Sequence, residues 1–216
     1  MEIAIIGLPK SGKTTIFNAV TRGAAEIVGY SEKPNVGVAK VPDNRLSVLV
    51  DMYKPIKVTS ADVTYRDLPS PTDIAGGGVG IGGQYLNDLQ SVDALLVVVR
   101  AFDSPSVSHV YETIDPFRDA EEMLLELNVL DISIVDRRLL KIDERLKAAK
   151  TQERDALFKE QTLLNQINKQ LDEGTSLRDQ QLSSDDINRI SGFALLSIKP
   201  VIFVMNIGEN QLGEQN

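Results

Sequence analysis

GLPKSGKT, residues 7–14, stands between the apolar run EIAII (2–6) and the segment TTIFNAVTRG (14–23). It fits G-x-x-x-x-G-K-[ST] with a strand before it and a helix after it, the context in which this spacing has a mechanism. The loop wraps so that successive backbone N–H groups point inward at a β-phosphate. Gly7 and Gly12 let the chain turn tightly and approach a ligand closely. Lys13 reaches the β- and γ-oxygens, the Thr14 hydroxyl suits Mg²⁺, and the helix that starts here adds the positive end of its dipole. Gly7, Pro9, Lys10, Ser11, Gly12, Lys13, Thr14 and Thr15 are therefore the expected phosphate-binding residues.

Outward from this loop, strand and helix patterns alternate. NVGVAKVP (35–42) alternates like a strand, PDNRLSVLVDMY (42–53) reads as a short helix, and VTSADVTYRD (58–67) as a weaker strand. Residues 68–83, rich in glycine and holding Pro69 and Pro71, read as a loop. QYLNDLQSV (84–92) suggests a helix, while DALLVVVRAF (93–102) and KPVIFVMN (199–206) are buried strands. The expected fold is α/β, a P-loop domain with a mostly parallel sheet covered on both faces.

One segment breaks the alternation. From about 119 to 173 the pattern is helical throughout. Ile132, Val135, Leu139, Ile142, Leu146 and Ala149 form a heptad seam, and Leu157, Leu164, Ile167 and Leu171 a shorter matching one. A reversal at TQER (151–154) brings the two seams face to face, and Gly174 ends the second helix. The expectation is an inserted coiled-coil hairpin over 119–182, dividing a nucleotide-binding domain of 1–118 and 183–216. SSDDINRISGFALLSI (183–198) returns as a further helix.

Bulk composition narrows the function. The 216 residues are 42% apolar and 25% charged, enough to bury a core. A net charge of −8 argues against binding DNA or other nucleic acid through overall charge. With no cysteine there is no disulfide, thiolate zinc site or thiol switch. No apolar run reaches the ~20 residues of a membrane span, and MEIAIIG is too short and acidic for a signal peptide, so a cytoplasmic protein is expected. Charge is uneven. Residues 137–154 carry Arg137, Arg138, Lys141, Arg145, Lys147, Lys150 and Arg154 against Asp143, Glu144 and Glu153.

GLPKSGKTTIFNAVT, KPNVGVAKVPDNRL, VDALLVVVRAFD, the helical insertion and VMNIGE, in that order, resemble the YchF or Obg-like ATPase subfamily of Obg-type P-loop GTPases. The resemblance spans nearly the whole chain. It implies slow nucleoside triphosphate hydrolysis with Mg²⁺, ATP preferred over GTP, and ribosome association. It also implies a longer protein, in which a C-terminal TGS domain follows. The base-recognition motif N-x-x-E falls on Asn206, Ile207 and Glu209, a glutamate standing where GTP-specific relatives carry an aspartate.

Two aspartates compete for the metal. ADVTYR leads as a strand into Asp67, whereas Leu-Pro-Ser-Pro-Thr before Asp73 cannot extend a central strand. The family register also favours Asp67. It then puts Ser70 where the switch glycine belongs and Pro71 where GTPases carry a water-orienting glutamine. The resemblance assigns that task instead to the sole histidine, His109 of VVRAFDSPSVSHV. Ser31 falls at the switch I threonine, a third metal candidate beside Thr14 and Asp67. Lys10 replaces an asparagine that helps many relatives hold K⁺, and could act as a built-in catalytic cation beside Lys13. A solvated Lys10 and an idle loop His109 are the plain alternatives. The basic segment 137–154 is the expected rRNA or ribosome contact. Two rival functions stay open: a nucleotide-gated binding module that does not hydrolyse, and a coiled-coil interaction protein with a vestigial site.

Overall fold

The computed structural model describes residues 1–23, 34–69, 83–111 and 113–212. Among these residues five strands form one sheet in the order β2-β3-β1-β4-β5. They are β1 (Glu2–Ile6), β2 (Asn35–Lys40), β3 (Asp62–Asp67), β4 (Ala94–Arg100) and β5 (Val201–Asn206). β1 runs parallel to β3 and β4, and β4 parallel to β5; only β2 is antiparallel to its neighbour β3. This is the expected mostly parallel α/β sheet.

Both faces are covered, which is why β4 is buried along its whole length and apolar up to Arg100 rather than alternating. On one face α1 (Lys13–Thr21) inserts Phe17 among Ile3, Ile5, Leu96 and Val98. Gly37 of β2 lets α1 come close, since a Cβ there would press on Phe17 and Thr21. Truncating the fully buried Phe17 to alanine should cost ~3–5 kcal/mol. On the other face Tyr85 and Leu89 of α3 (Gly83–Ser91) and Met123, Leu127 and Leu130 of α4 (Pro116–Leu146) pack on Ala4, Ile6, Leu95, Val97 and Val99. The short α2 (Asn44–Tyr53) is capped by Asp43 and buries none of its side chains.

α4 begins earlier than the periodicity predicts. The Asp115 carboxylate caps the N–H groups of Phe117 and Arg118, and Pro116 supplies a ready-made helical φ in the first turn. The helix runs for 31 residues without a break. Its second half carries Val135 and Ile142 into a separate core with Leu157, Leu164, Ile167 and Leu171 of α5 (Thr151–Asp172), so the two seams do face each other. The reversal lies just before TQER, for α5 starts at Thr151, and Gly174 follows its end at φ 85°. Residue 119, the expected start of the insertion, thus lies inside a helix that belongs to both cores.

The return helix is shorter than expected. α6 spans only Ser184–Ile190, then gives way to a single 3-10 turn and a left-handed Ala194. Asp131, fully buried on α4, explains the break. Its carboxylate accepts the N–H groups of Leu196 and Ser197 at 2.7 Å each and the Ser197 hydroxyl at 2.6 Å. A longer helix would have turned those donors inward. Beside this contact Asn128 donates to Gly174 O at 3.2 Å and accepts from Ser176 Oγ at 3.0 Å. The root of the hairpin is therefore a buried polar joint between two apolar cores.

Candidate functional site

The P-loop connects β1 to α1 and is shaped by its glycines. A Cβ on Gly7, at φ 150°, would collide with the carbonyl of Val98 in β4, and one on Gly12, at φ 97°, with the side-chain amide of Asn206. Both positions need glycine for space as well as for backbone freedom. Lys13 is buried and donates to Gly7 O at 3.1 Å and Leu8 O at 3.2 Å, so its ammonium curls back over the loop.

Asp67 ends β3, paired in register with Ile5 of β1, which places it beside the loop. Its Oδ2 accepts from the Thr14 hydroxyl at 2.7 Å and from Asn35 Nδ2 at 3.3 Å. A hydroxyl and a carboxylate in contact at a P-loop are hard oxygen donors, and they leave the remaining positions of an octahedral ion to phosphate and water; this fits Mg²⁺. Among the described residues no cluster of three or more His, Cys, Asp or Glu side chains offers an all-protein metal cage. Ser31, Ser70, Pro71 and Asp73 lie outside the described residues.

Asn206, the last residue of β5, donates through Nδ2 to Ser11 O at 2.9 Å and so ties the expected base-recognition segment to the P-loop. Ile207 and Glu209 follow it on the surface, Glu209 opening a short 3-10 turn. Pro9 is half-buried, while Thr15 is exposed in the first turn of α1.

Lys10 is exposed and holds φ 62°, a left-handed conformation uncommon for a residue with a side chain. Its Nζ donates to Ser108 Oγ at 2.7 Å. His109, the next residue, faces away from solvent, with a side chain only 6% exposed. Its Nε2 meets Asp119 Oδ2 at 3.0 Å, and its Nδ1 lies 3.0 Å from the Tyr111 nitrogen and 3.1 Å from the Tyr111 carbonyl oxygen. Arg118 also engages Asp119, at 2.8 Å, and stacks over the Tyr111 ring. Asp119 thus holds the imidazole against the first turns of α4.

Beside Asn35 and Asp119, two further residues with a bearing on the site are missing from the sequence reading. Ser108, the partner of Lys10, is one. The other is Arg100, 2% exposed at the end of β4, which donates to Phe102 O at 3.1 Å and Val107 O at 2.9 Å. It staples the loop that carries Ser108 and His109 to the sheet. An arginine closing the otherwise apolar run DALLVVV, at the carboxyl end of a central strand where α/β sites lie, is the signal that could have found it.

The model for the family described as 50S ribosome-binding GTPase matches residues 2–206. The chain belongs to that family. Among proteins similar to this chain is the ribosome-binding ATPase YchF of Bacillus subtilis, 32% identical, with 99% of this chain and 58% of the relative covered. Obg-like ATPase 1 of Oryza sativa is 33% identical over 97% of this chain and 53% of its own length. The solved structure of the Schizosaccharomyces pombe YchF GTPase superposes with a TM-score of 0.77 at 30% identity, covering 98% of this chain and 57% of that one. The resemblance read from the motifs is thereby borne out. The chain spans little more than half the length of these relatives.

Proposed function

We propose that this domain binds ATP in preference to GTP with Mg²⁺, hydrolyses it slowly to ADP and phosphate, and acts as a cytoplasmic, ribosome-associated switch. The observation that carries the reading is the contact between the Thr14 hydroxyl and the Asp67 carboxylate at 2.7 Å, beside a P-loop whose lysine is buried. In this scheme Lys13 and the loop amides hold the β- and γ-phosphates, with Lys10 adding a second positive charge. Thr14, Ser31 and Asp67 hold the metal, whose charge offsets that of the phosphates when bound. Asn206, Ile207 and Glu209 meet the base. The names of the relatives support the ATP and ribosome parts of this proposal.

The division into a nucleotide-binding part, 1–118 with 183–216, and a hairpin, 119–182, is part of the proposal, with α4 crossing between them. In the hairpin Arg138 pairs with Glu160 and Arg145 with Glu153, so two of the bases are held within it. Arg137, Lys141, Lys147 and Lys150 stay exposed and form the proposed rRNA contact. Neutralising those four should weaken co-sedimentation with ribosomes and flatten its salt dependence; unchanged co-sedimentation would remove the hairpin from the interface.

One observation favours a second reading, a binding module that does not hydrolyse. Both ring nitrogens of His109 are engaged inside the fold, so the ring must leave Asp119 before it can orient water. Calorimetric titration with ATP and GTP in Mg²⁺, followed by steady-state phosphate release, separates the readings. Binding with phosphate release that His109→Ala abolishes supports hydrolysis through the histidine. Binding without release supports the module. No heat with either nucleotide refutes both.

A further inference from the structure

A cavity of about 340 Å³ opens between the P-loop and the first half of α4. Gly7, Leu8 and Pro9 form one wall; Glu122, Met123, Leu125, Glu126 and Val129 form the other. The Lys13 ammonium is bonded to the carbonyls of Gly7 and Leu8, two residues of the first wall. Glu126, a half-buried carboxylate on the second wall, faces the loop whose carbonyls hold Lys13 and lies close enough to feel the positive charge that the triphosphate is proposed to use.

We propose that Glu126 is an internal anion of the nucleotide site, which shares the charge of Lys13 in the empty protein and must become neutral, by taking up a proton, when a triphosphate binds. The inference rests on the nucleotide-binding reading above and adds a residue of α4 to it.

The charged and titratable groups around Glu126 set the direction. From α4, Glu122 repels a second negative charge; its own carboxylate accepts the Tyr111 hydroxyl at 2.5 Å. From α1, Lys13 favours the charged form. From α3, the buried Tyr85 hydroxyl has its ionisation driven upward by burial and by Glu126, so it stays neutral. Burial outweighs Lys13, and the Glu126 carboxyl is pushed up to about 7. A triphosphate removes the one opposing influence by neutralising Lys13, and brings negative charge of its own. The carboxyl then rises further. Binding takes up a proton in the window from about pH 7 upward, and affinity falls as pH rises through that window.

The test is calorimetric titration of the intact chain with ATP and Mg²⁺ at pH 7 and pH 8, each in two buffers of different ionisation enthalpy, for the wild type and Glu126→Gln. The expected result is proton uptake by the wild type at both pH values, and none attributable to the protein in E126Q. E126Q should also bind ATP more tightly at pH 8, by up to roughly tenfold, because that pH lies about one unit above the carboxyl of the empty protein. Equal proton counts in the two proteins, or weaker ATP binding by E126Q, overturn the inference and leave nucleotide binding standing. Absence of any heat sinks both. If E126Q does not fold, the wild-type proton count decides alone: no uptake between pH 7 and pH 8 overturns the proposal.

Discussion

Helix α4 passes through two environments that are built on different principles. Its first half lies beside the P-loop, where the contacts that matter join residues far apart in sequence: Thr14 to Asp67 across 53 positions and Asn206 to Ser11 across 195. Its second half lies in the hairpin. There an apolar seam and pairs such as Arg138–Glu160, 22 positions apart, close within one helical turn-back. The first environment positions groups whose value appears only with a ligand, and it spends glycine and a left-handed lysine to do so. The second maximises burial of Val135, Ile142 and Leu164. Nucleotide binding and global stability should therefore respond to different residues.

The sharpest test of that contrast is Lys13→Ala. Losing charge-assisted contacts to the phosphates should weaken ATP binding by roughly a hundredfold or more, measured by calorimetry. Retained affinity would break the comparison at its stronger end. Leu164→Ala probes the other region. It empties a fully buried seam position and should lower unfolding free energy by ~2–5 kcal/mol, read from urea denaturation. ATP affinity should stay at the wild-type value, and a parallel loss would mean the two environments are not separate. Asp67→Asn should erase most of the Mg²⁺-dependent gain in ATP affinity, on the order of tenfold, while Asp73→Asn leaves it intact. The reverse pattern would move the metal site to the glycine-rich loop. The smallest effect belongs to Ser108→Ala. It removes one exposed hydrogen bond to Lys10 and should change ATP affinity by no more than about 1 kcal/mol. A larger loss would make Lys10 a principal phosphate ligand rather than an auxiliary one.

Legibility in the sequence followed the same divide. GLPKSGKT and its flanks were readable because backbone geometry, not tertiary context, forces the glycine and lysine spacing. The hairpin seams were readable from their period. That a strand ends at Asp67 was readable because ADVTYR alternates and the prolines follow it, a local rule. What stayed hidden depends on packing. Nothing local to SSDDINRISGFALLSI announces that Asp131, more than sixty positions upstream, will seize its backbone and stop the helix. Asp115 and Pro116 did carry a local start signal, and heptad spacing, which begins later, drew attention away from it. The engagement of His109 by Asp119 was out of reach for another reason. A histidine and an aspartate ten positions apart touch only because the loop between them folds back on the start of α4.

The unbroken run of α4 has a mechanical side. Thirty-one residues of α-helix reach roughly 45 Å at 1.5 Å per residue. One end lines the cavity against Gly7–Pro9 and the other stands at the tip of the hairpin. Such a rod is a lever with its fulcrum at Asp131 and Asn128, where polar contacts clamp it to the returning chain. With about half its length beyond the clamp, a tilt of roughly 10° would carry the tip by about 4 Å, close to the width of a side chain.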